Sequence, residues 1–321
     1  MKPGGIHLLL TYKCNASCGH CFLSCGPSRD GVIPIEDTRK YIAGAGSAGY
    51  ISHFFIEGGE PFLYPGLLAA TVAEIKAAGY WLGLLTNGFW AVSDSRAREM
   101  LEPLAAAGLD YVGISTDTWH ESFVPPELAE RAALAAQETG IETDLMVCSA
   151  GSGDAHEAPA AGPGHKPVID RLRRQGLEAY SSPVICRGRA AASRECSIRA
   201  HPWEKLKKCG STFGGKSRIH LGPGGQIHLC QGLLLGSDAR SRPLPEIFEA
   251  FKVKNHPVCR ALDRGGPAAL ARLAAGYGFV PEDAYADGCQ LCFEARRFLM
   301  PRFPDLIGPA EMYEAARPAP A

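Results

Sequence analysis

The sequence predicts an α/β protein: a partial (β/α)6 barrel over residues 1–190, then a small C-terminal α+β unit, a hairpin with helices, over 191–321. Three observations carry this reading. Short apolar runs alternate with helical patterns through the first 185 residues, the signature of βαβ units and a parallel sheet. The glycine-rich and polar residues of that half fall at the carboxyl ends of the apolar runs, where α/β sheets place their sites. Beyond residue 190 the alternation stops and a strand–turn–strand pattern replaces it.

In chain order the strand candidates are IHLLLT (6–11), HFFIEG (53–58), WLGLLTN (81–87), YVGIST (111–116), TDLMVC (143–148) and AYSSPVI (179–185). Helical patterns lie between them near 35–48, 66–78, 93–107, 126–139 and 167–175. Glycine follows each of the first three helices, the usual stop because glycine accepts the left-handed conformation. Right-handed crossovers wind such units into a barrel. Five helices after six strands suit a partial barrel better than a full eight-fold one. Residues 149–166, SAGSGDAHEAPAAGPGHK, lack periodicity and read as a long loop after the fifth strand, either a lid or a tolerated insertion. RIHLGPGGQIHLC (218–230) is the hairpin, and LPEIFEAF, PAALARLAAGYG and CQLCFEARRFLM (289–300) read as helices. There is no internal repeat.

Composition narrows the function. No apolar run approaches about 18 residues, so no membrane span is expected. No signal-peptide pattern opens the chain, which points to the cytoplasm, where thiols stay reduced. Twelve cysteines there argue for metal or redox chemistry over a disulfide framework. The net charge of −1 hides an asymmetry. Residues 1–165 hold 9 Lys/Arg against 19 Asp/Glu, and residues 166–218 hold 13 against 4. Such a basic block either attracts an acidic partner or faces the acidic half and solvent. No aromatic-interleaved basic motif makes nucleic acid the expectation.

CNASCGHC (14–21) follows the first strand and places three cysteines at C-x3-C-x2-C spacing. Thiolates hold zinc and iron–sulfur clusters, and a structural site usually takes four of them. Three leave one metal position open for a substrate. Cys25 is the obvious fourth, but SCGPSRDG reads as a turn leading away. Three further strand ends carry Gly58-Gly59-Glu60-Pro61, Thr86-Asn87-Gly88 and Ser115-Thr116-Asp117. Singly these are turns and a helix cap; together on one face they read as a site.

These residues resemble the radical S-adenosylmethionine (radical SAM) superfamily over roughly residues 6–190. CNASCGHC matches its cluster signature, with His20 at the position before the third cysteine that is usually aromatic, and GGEP matches its second-strand motif. The resemblance implies a partial (β/α)6 TIM-type barrel holding a [4Fe-4S] cluster on Cys14, Cys18 and Cys21, with S-adenosylmethionine on the open iron. It implies reductive cleavage to a 5′-deoxyadenosyl radical that takes a hydrogen atom from the substrate. Gly58, Gly59, Glu60 and Pro61 would then border the methionine group, Ser115 and Asp117 the ribose, and Asn87 a further polar contact. The family's fifth-strand adenine pattern is not clear in TDLMVC, which leaves Met146 as the candidate there.

Cys209 to Cys230 reads C-x15-G-x4-C, and Cys289 with Cys292 gives C-x2-C. This resembles the Twitch and SPASM extensions of the superfamily. It implies one auxiliary [4Fe-4S] cluster on Cys209, Cys230, Cys289 and Cys292, with zinc as the rival metal. Cys259 either replaces one of the four or is a buried small residue, and Cys148, Cys186 and Cys196 read as structural or free. Asp117, His120 and Tyr180 are candidates for proton transfer, and Arg187 and Arg189 for the members of the basic block nearest the site. The expected partners are an external electron donor of flavodoxin or ferredoxin type and a peptide, protein or small-molecule substrate, which the basic block would favour if acidic. With the cysteine motif at residue 14, no N-terminal peptide-recognition domain is expected. The competing reading is a cluster-bearing electron-transfer or redox-sensing protein without turnover, which needs Cys25 to close the first cluster.

Overall fold

In the computed structural model, β1 (Gly5–Thr11), β2 (His53–Gly58), β3 (Trp81–Thr86), β4 (Tyr111–Ser115), β5 (Glu142–Ser149) and β6 (Glu178–Pro183) pair in parallel in chain order. The structure describes residues 1–149, 164–192, 196, 199–215 and 217–314. Most of the loop expected at 149–166 therefore lies outside the described residues. The crossovers are α1 (Ile35–Ala48), α2 (Pro65–Ala77), α3 (Asp94–Ala106), α4 (Pro126–Glu138) and α5 (His165–Arg174). Left-handed glycines end or follow α1, α2 and α3: Gly49 at φ 72°, Gly79 at 82° and Gly108 at 87°. Ser93 caps α3, accepting from Arg96 N at 3.2 Å.

The period-two side-chain alternation of the strands sorts two environments. Ile6, Leu8, Leu10, Phe54, Ile56, Leu82, Leu84, Val112 and Ile114 are completely buried and form the hydrophobic core. Each contributes about 1.5–3 kcal/mol by leaving water. The alternate positions carry His7, Phe55, Glu57, Trp81, Tyr111, Glu142 and Met146, which line an internal cavity of about 810 Å³. Parallel strands covered on both faces normally read as continuous aliphatic runs. Here the second face is polar and aromatic, and the barrel is hollow.

The C-terminal part joins this sheet. β8 (Arg218–Leu221) runs parallel to β1, pairing Gly5 with Arg218 and His7 with His220. β9 (Gln226–Cys230) and β10 (Leu233–Asp238) continue it antiparallel, so nine strands form one sheet in the order β10-β9-β8-β1-β2-β3-β4-β5-β6. The hairpin is present as expected; its attachment to β1 and the third strand β10 were not legible. α6 (Leu244–Ala250), α7 (Pro257–Ala275, kinked at Gly265 and Gly266) and α8 (Gly288–Leu299) follow. The short strands β7 (His201–Pro202) and β11 (Ala284–Tyr285) pair with each other. No described helix is long and apolar enough to cross a membrane.

One cysteine expectation needs correction. Cys186 and Cys196, read as structural or free, are joined in a disulfide whose Cα atoms lie 5.6 Å apart. The turn after β6 folds back on itself and brings the two within bridging reach.

Candidate active site

The four strand-end motifs converge. Gly59 N donates to Thr11 O at 2.7 Å and Glu60 N to Lys13 O at 2.9 Å, which ties the end of β2 to the backbone just before Cys14. Only glycine permits this approach. A Cβ on Gly59 would lie 1.9 Å from Lys13 O, and one on Gly58, at φ 128°, 2.5 Å from Thr11 O. Pro61 opens a buried turn, Pro61–Leu63, behind them. The Glu60 carboxylate is wholly buried. It accepts from Phe62 N (3.0 Å), Thr86 Oγ1 (2.8 Å) and Asn87 N (2.8 Å), and so joins the ends of β2 and β3. Burial raises its pKa to about 7 despite those hydrogen bonds. The carboxylate expected beside an ammonium group is thus an internal clamp, and Glu60 does not line the cavity next to the cysteines.

That cavity, about 260 Å³, is lined by Cys14, Cys18 and Cys21 together with His20, Gly58, Gly59, Asn87, Ser115, Asp117, His120, Met146 and Arg189. Asn87 Nδ2 donates to Asn15 Oδ1 at 2.9 Å and approaches Cys14 Sγ at 3.9 Å. Arg189 Nε donates to Cys18 O at 2.9 Å and Arg189 N to Cys21 O at 3.0 Å. Arg189 therefore braces the cysteine loop instead of facing an acidic partner. His20 packs on Trp119 and His120, with ring centroids 5.0 and 5.1 Å away.

Asp117 commits both oxygens inside the protein. Oδ1 accepts from His120 Nδ1 (2.8 Å), Trp119 N (3.1 Å) and His120 N (3.2 Å), and Oδ2 from Cys148 N (3.3 Å). Its freedom to accept from ribose hydroxyls is correspondingly small. Burial works against charge on His120, but hydrogen bonds to Asp117 and Cys18 prevail and hold the imidazole protonated well above its ordinary value. Contact with Cys25 draws Cys21 well below a normal thiol pKa, against the effect of burial, and Arg189 assists. Cationic neighbours at Cys18 and Cys21 are what thiolate ligands require.

Cys25 departs from the sequence expectation. The segment does not lead away: Cys14 N donates to Gly26 O and Gly26 N to Tyr12 O, at 3.1 and 3.4 Å. Cys25 is therefore buried and lines the same cavity as the other three thiols. Tyr180 moves the other way. It is 58% exposed on β6 and lines neither this cavity nor the barrel interior.

The site also contains groups that the motifs did not reveal. Glu57 lines both cavities, as do Leu85 and Met146, so these residues stand where the two spaces meet. Glu57 Oε1 accepts from His7 Nδ1 at 3.0 Å and pairs with His220 Nε2 at 3.1 Å. Burial opposes its charge, but hydrogen bonds from His220 and His7 outweigh it and hold the carboxyl well below the usual carboxylate range. The stabilisation from this ionised group is complete above the unfolded carboxyl pKa and is lost as pH falls through the folded one. Glu57→Gln is therefore expected to cost about 1–3 kcal/mol near neutral pH. Melting curves should show the difference from wild type shrinking below about pH 4. The signal was available: His7, Glu57 and His220 are polar residues at inward positions of strands that are otherwise apolar.

The second cysteine set gathers at the far side of the same cavity, where Cys230 and Arg187 line it. Cys209, Cys230 and Cys292 lie within electrostatic reach of one another and of Cys259, which is wholly buried on α7. Cys289 faces Cys292 and Cys230. The doubtful Cys259 thus shares its neighbourhood with Cys292, Cys230 and Cys209. Arg187 Nη1 donates to Cys230 Sγ at 3.0 Å, while its guanidinium lies over the Phe22 ring at 5.2 Å. Between Arg187 and Arg189, Gly188 takes φ 59°, and a Cβ there would strike Cys21 O at 2.6 Å. Residues 187–189 thus link the two cysteine sets.

With this geometry in view, residues 8–157 match the radical SAM superfamily. The match takes in β2 to β5 and the three-cysteine motif. Over 119 residues the chain is 29% identical to the putative peptide biosynthesis protein YydG of Bacillus subtilis (strain 168), a match covering 37% of each protein. The chain thus matches little more than a third of the length of that curated relative. Among solved structures, it is similar to Streptococcus suis SuiB (13% identity, 77% of this chain and 65% of that one, TM-score 0.42). It is also similar to BtrN in complex with AdoMet and 2-DOIA (13% identity, 83% and 89%, TM-score 0.47). The donor set fits the cofactor of a radical SAM domain: three thiols on one cavity wall, cations beside two of them, and a glycine-lined backbone opposite.

Proposed function

We propose that the protein is a radical SAM enzyme whose substrate lies in the hollow of the barrel, between two iron–sulfur centres. Cys14, Cys18 and Cys21 would hold the first, and S-adenosylmethionine bound there would supply the radical chemistry by which a hydrogen atom is taken from the substrate. The observation that carries this reading is the three-thiol cavity at the end of β1, opening past Glu57 into the 810 Å³ interior. Gly58 and Gly59 let the methionine end of the cofactor approach the backbone, and Asn87, Ser115 and Met146 border the rest. His120 and Arg189 offset the negative charge of the thiolates. The aromatic wall of Phe55, Trp81 and Tyr111, with Trp81 and Tyr111 stacked at 6.1 Å, offers a surface for an apolar side chain. Glu57, backed by two histidines, offers the substrate a hydrogen-bond acceptor.

The second set, drawn from Cys209, Cys230, Cys289, Cys292 and Cys259, would hold an auxiliary [4Fe-4S] cluster in a Twitch- or SPASM-like region after residue 190. A peptide substrate is the favoured class, supported by the similarity to the putative peptide biosynthesis protein of Bacillus subtilis; a small molecule is the other. Lys205, Lys207 and Lys208 are exposed beside Cys209 and suit the docking of an acidic electron donor of flavodoxin or ferredoxin type. Reversing these three charges is expected to slow reduction by such a donor and flatten its salt dependence, while reduction by dithionite stays unchanged. Stopped-flow absorbance reads both. The function itself is tested by 5′-deoxyadenosine formation from S-adenosylmethionine in the anaerobically reconstituted, reduced protein. A loaded protein that binds S-adenosylmethionine yet never cleaves it, alone or with peptide candidates, would sink the proposal.

A further inference from the structure

Two guanidiniums, the buried Arg296 and the half-buried Arg187, converge on the second cysteine set, and no ion pair to a carboxylate holds either among the described residues. Arg296 is 1% exposed and stands one helical turn after Cys292 on α8. Its Nη1 donates to Gln231 O at 2.9 Å, its plane lies over Tyr313 at 5.5 Å, and its Nε has no partner. Arg187 touches Cys230 Sγ, and its Nε is likewise buried without a partner. A guanidinium taken out of water with no counter-charge costs several kcal/mol. Arg296 therefore calls for an anionic group beside it. Tyr313 does not supply it, because its hydroxyl donates to Gly232 O and stays neutral. Among the described residues, the other groups near Arg296 that can carry negative charge are the thiols of Cys292, Cys230, Cys289 and Cys259.

We propose that Arg187 and Arg296 are the built-in counter-charges of the second centre and set its reduction potential. This rests on the reading above that the second cysteine set holds a [4Fe-4S] cluster. Such a cluster on four thiolates is doubly negative when oxidised and gains another negative charge on reduction. Fixed positive charge at the ligand sulfurs favours the reduced form more, and so raises the potential. Arg187 also reaches Phe22 in the first cysteine loop, so the same side chain fixes how the two centres face each other.

The test uses the full chain with Cys14, Cys18 and Cys21 replaced by alanine, in which only the second centre can form. Iron and sulfide content show whether it forms, and EPR-monitored redox titration reads its midpoint potential. Arg187→Gln is expected to load iron as well as its parent and to titrate at a lower potential, with Arg187→Lys restoring most of the difference. Arg296→Lys, which keeps the charge, is expected to stay near the parent potential, and Arg296→Gln to lower it or to lose the cluster. An unshifted potential in a fully loaded Arg187→Gln protein overturns the assignment. Zinc, or no metal, in the parent overturns the underlying cluster reading instead, and the two failures are told apart by metal content alone.

Discussion

Replacing Cys14, Cys18 and Cys21 together with alanine is expected to abolish 5′-deoxyadenosine formation, whereas Cys25→Ala keeps it. The contrast matters because all four thiols line one cavity. A fully four-thiol site would be closed, and the protein would only pass electrons. Cys25 differs from Cys21 and Cys18 in its surroundings. Contact with Cys21 and burial both push its thiol pKa well up, whereas the same contact draws that of Cys21 down. Cys25 thus sits against Cys21 as its hydrogen-bond partner, while Arg189 stands beside Cys21 and His120 beside Cys18. Anaerobic reconstitution, iron content and chromatographic detection of 5′-deoxyadenosine read the outcome. Loss of the first cluster in Cys25→Ala, with no cleavage by wild type, would leave the electron-transfer reading standing.

Gly59→Ala is the second large effect. The new methyl would fall 1.9 Å from Lys13 O, a backbone atom held in place by the Lys13–Gly26 bridge just past β1. Either the hydrogen bond from Glu60 N to Lys13 O breaks or the start of the cysteine loop moves. Overpacking of this kind costs about 3 kcal/mol or more. The expected result is a lower melting temperature together with poor iron loading of the first centre. Gly49→Ala is the control. Gly49 ends α1 at φ 72° with nothing within 4 Å of its Cβ position. It should cost about 1 kcal/mol through backbone strain alone and leave iron loading intact. Equal iron loading in both variants would show that the β2 turn does not place the cysteines.

The barrel was legible because its strands and crossovers are local. IHLLLT and HFFIEG are too apolar and β-branched or aromatic for loops, and the glycines at 49, 79 and 108 mark helix ends by a backbone requirement that needs no tertiary context. The three-cysteine motif and GGEP were legible for a similar reason: each is a short stretch whose spacing already limits its geometry. Their mutual grip was not. That Glu60 clamps Thr86 and Asn87 instead of facing the cavity depends on two strand ends meeting 26 and 27 residues apart. The partners of Asp117 were hidden in the same way, since His120 and Cys148 come from a loop and from a neighbouring strand.

By itself the sequence determined the order of strands and helices, the cysteine loop after β1 and the glycine turn that faces it. Its inward positions also carried His7, Glu57 and His220, though pattern alone did not separate a hollow lumen from a polar flaw in a packed one. Tertiary structure decided what long-range closure brings together. It returned Cys25 to the cavity, joined Cys186 to Cys196, attached β8 to β1, and turned Arg187 and Arg296 onto the second cysteine set. The physical reason is common to all of these. Charge and hydrogen-bonding groups acquire their roles from whatever neighbours desolvate them, and the chain folds those neighbours in from as near as 10 residues, for Cys186 and Cys196, and from as far as β1 to β8.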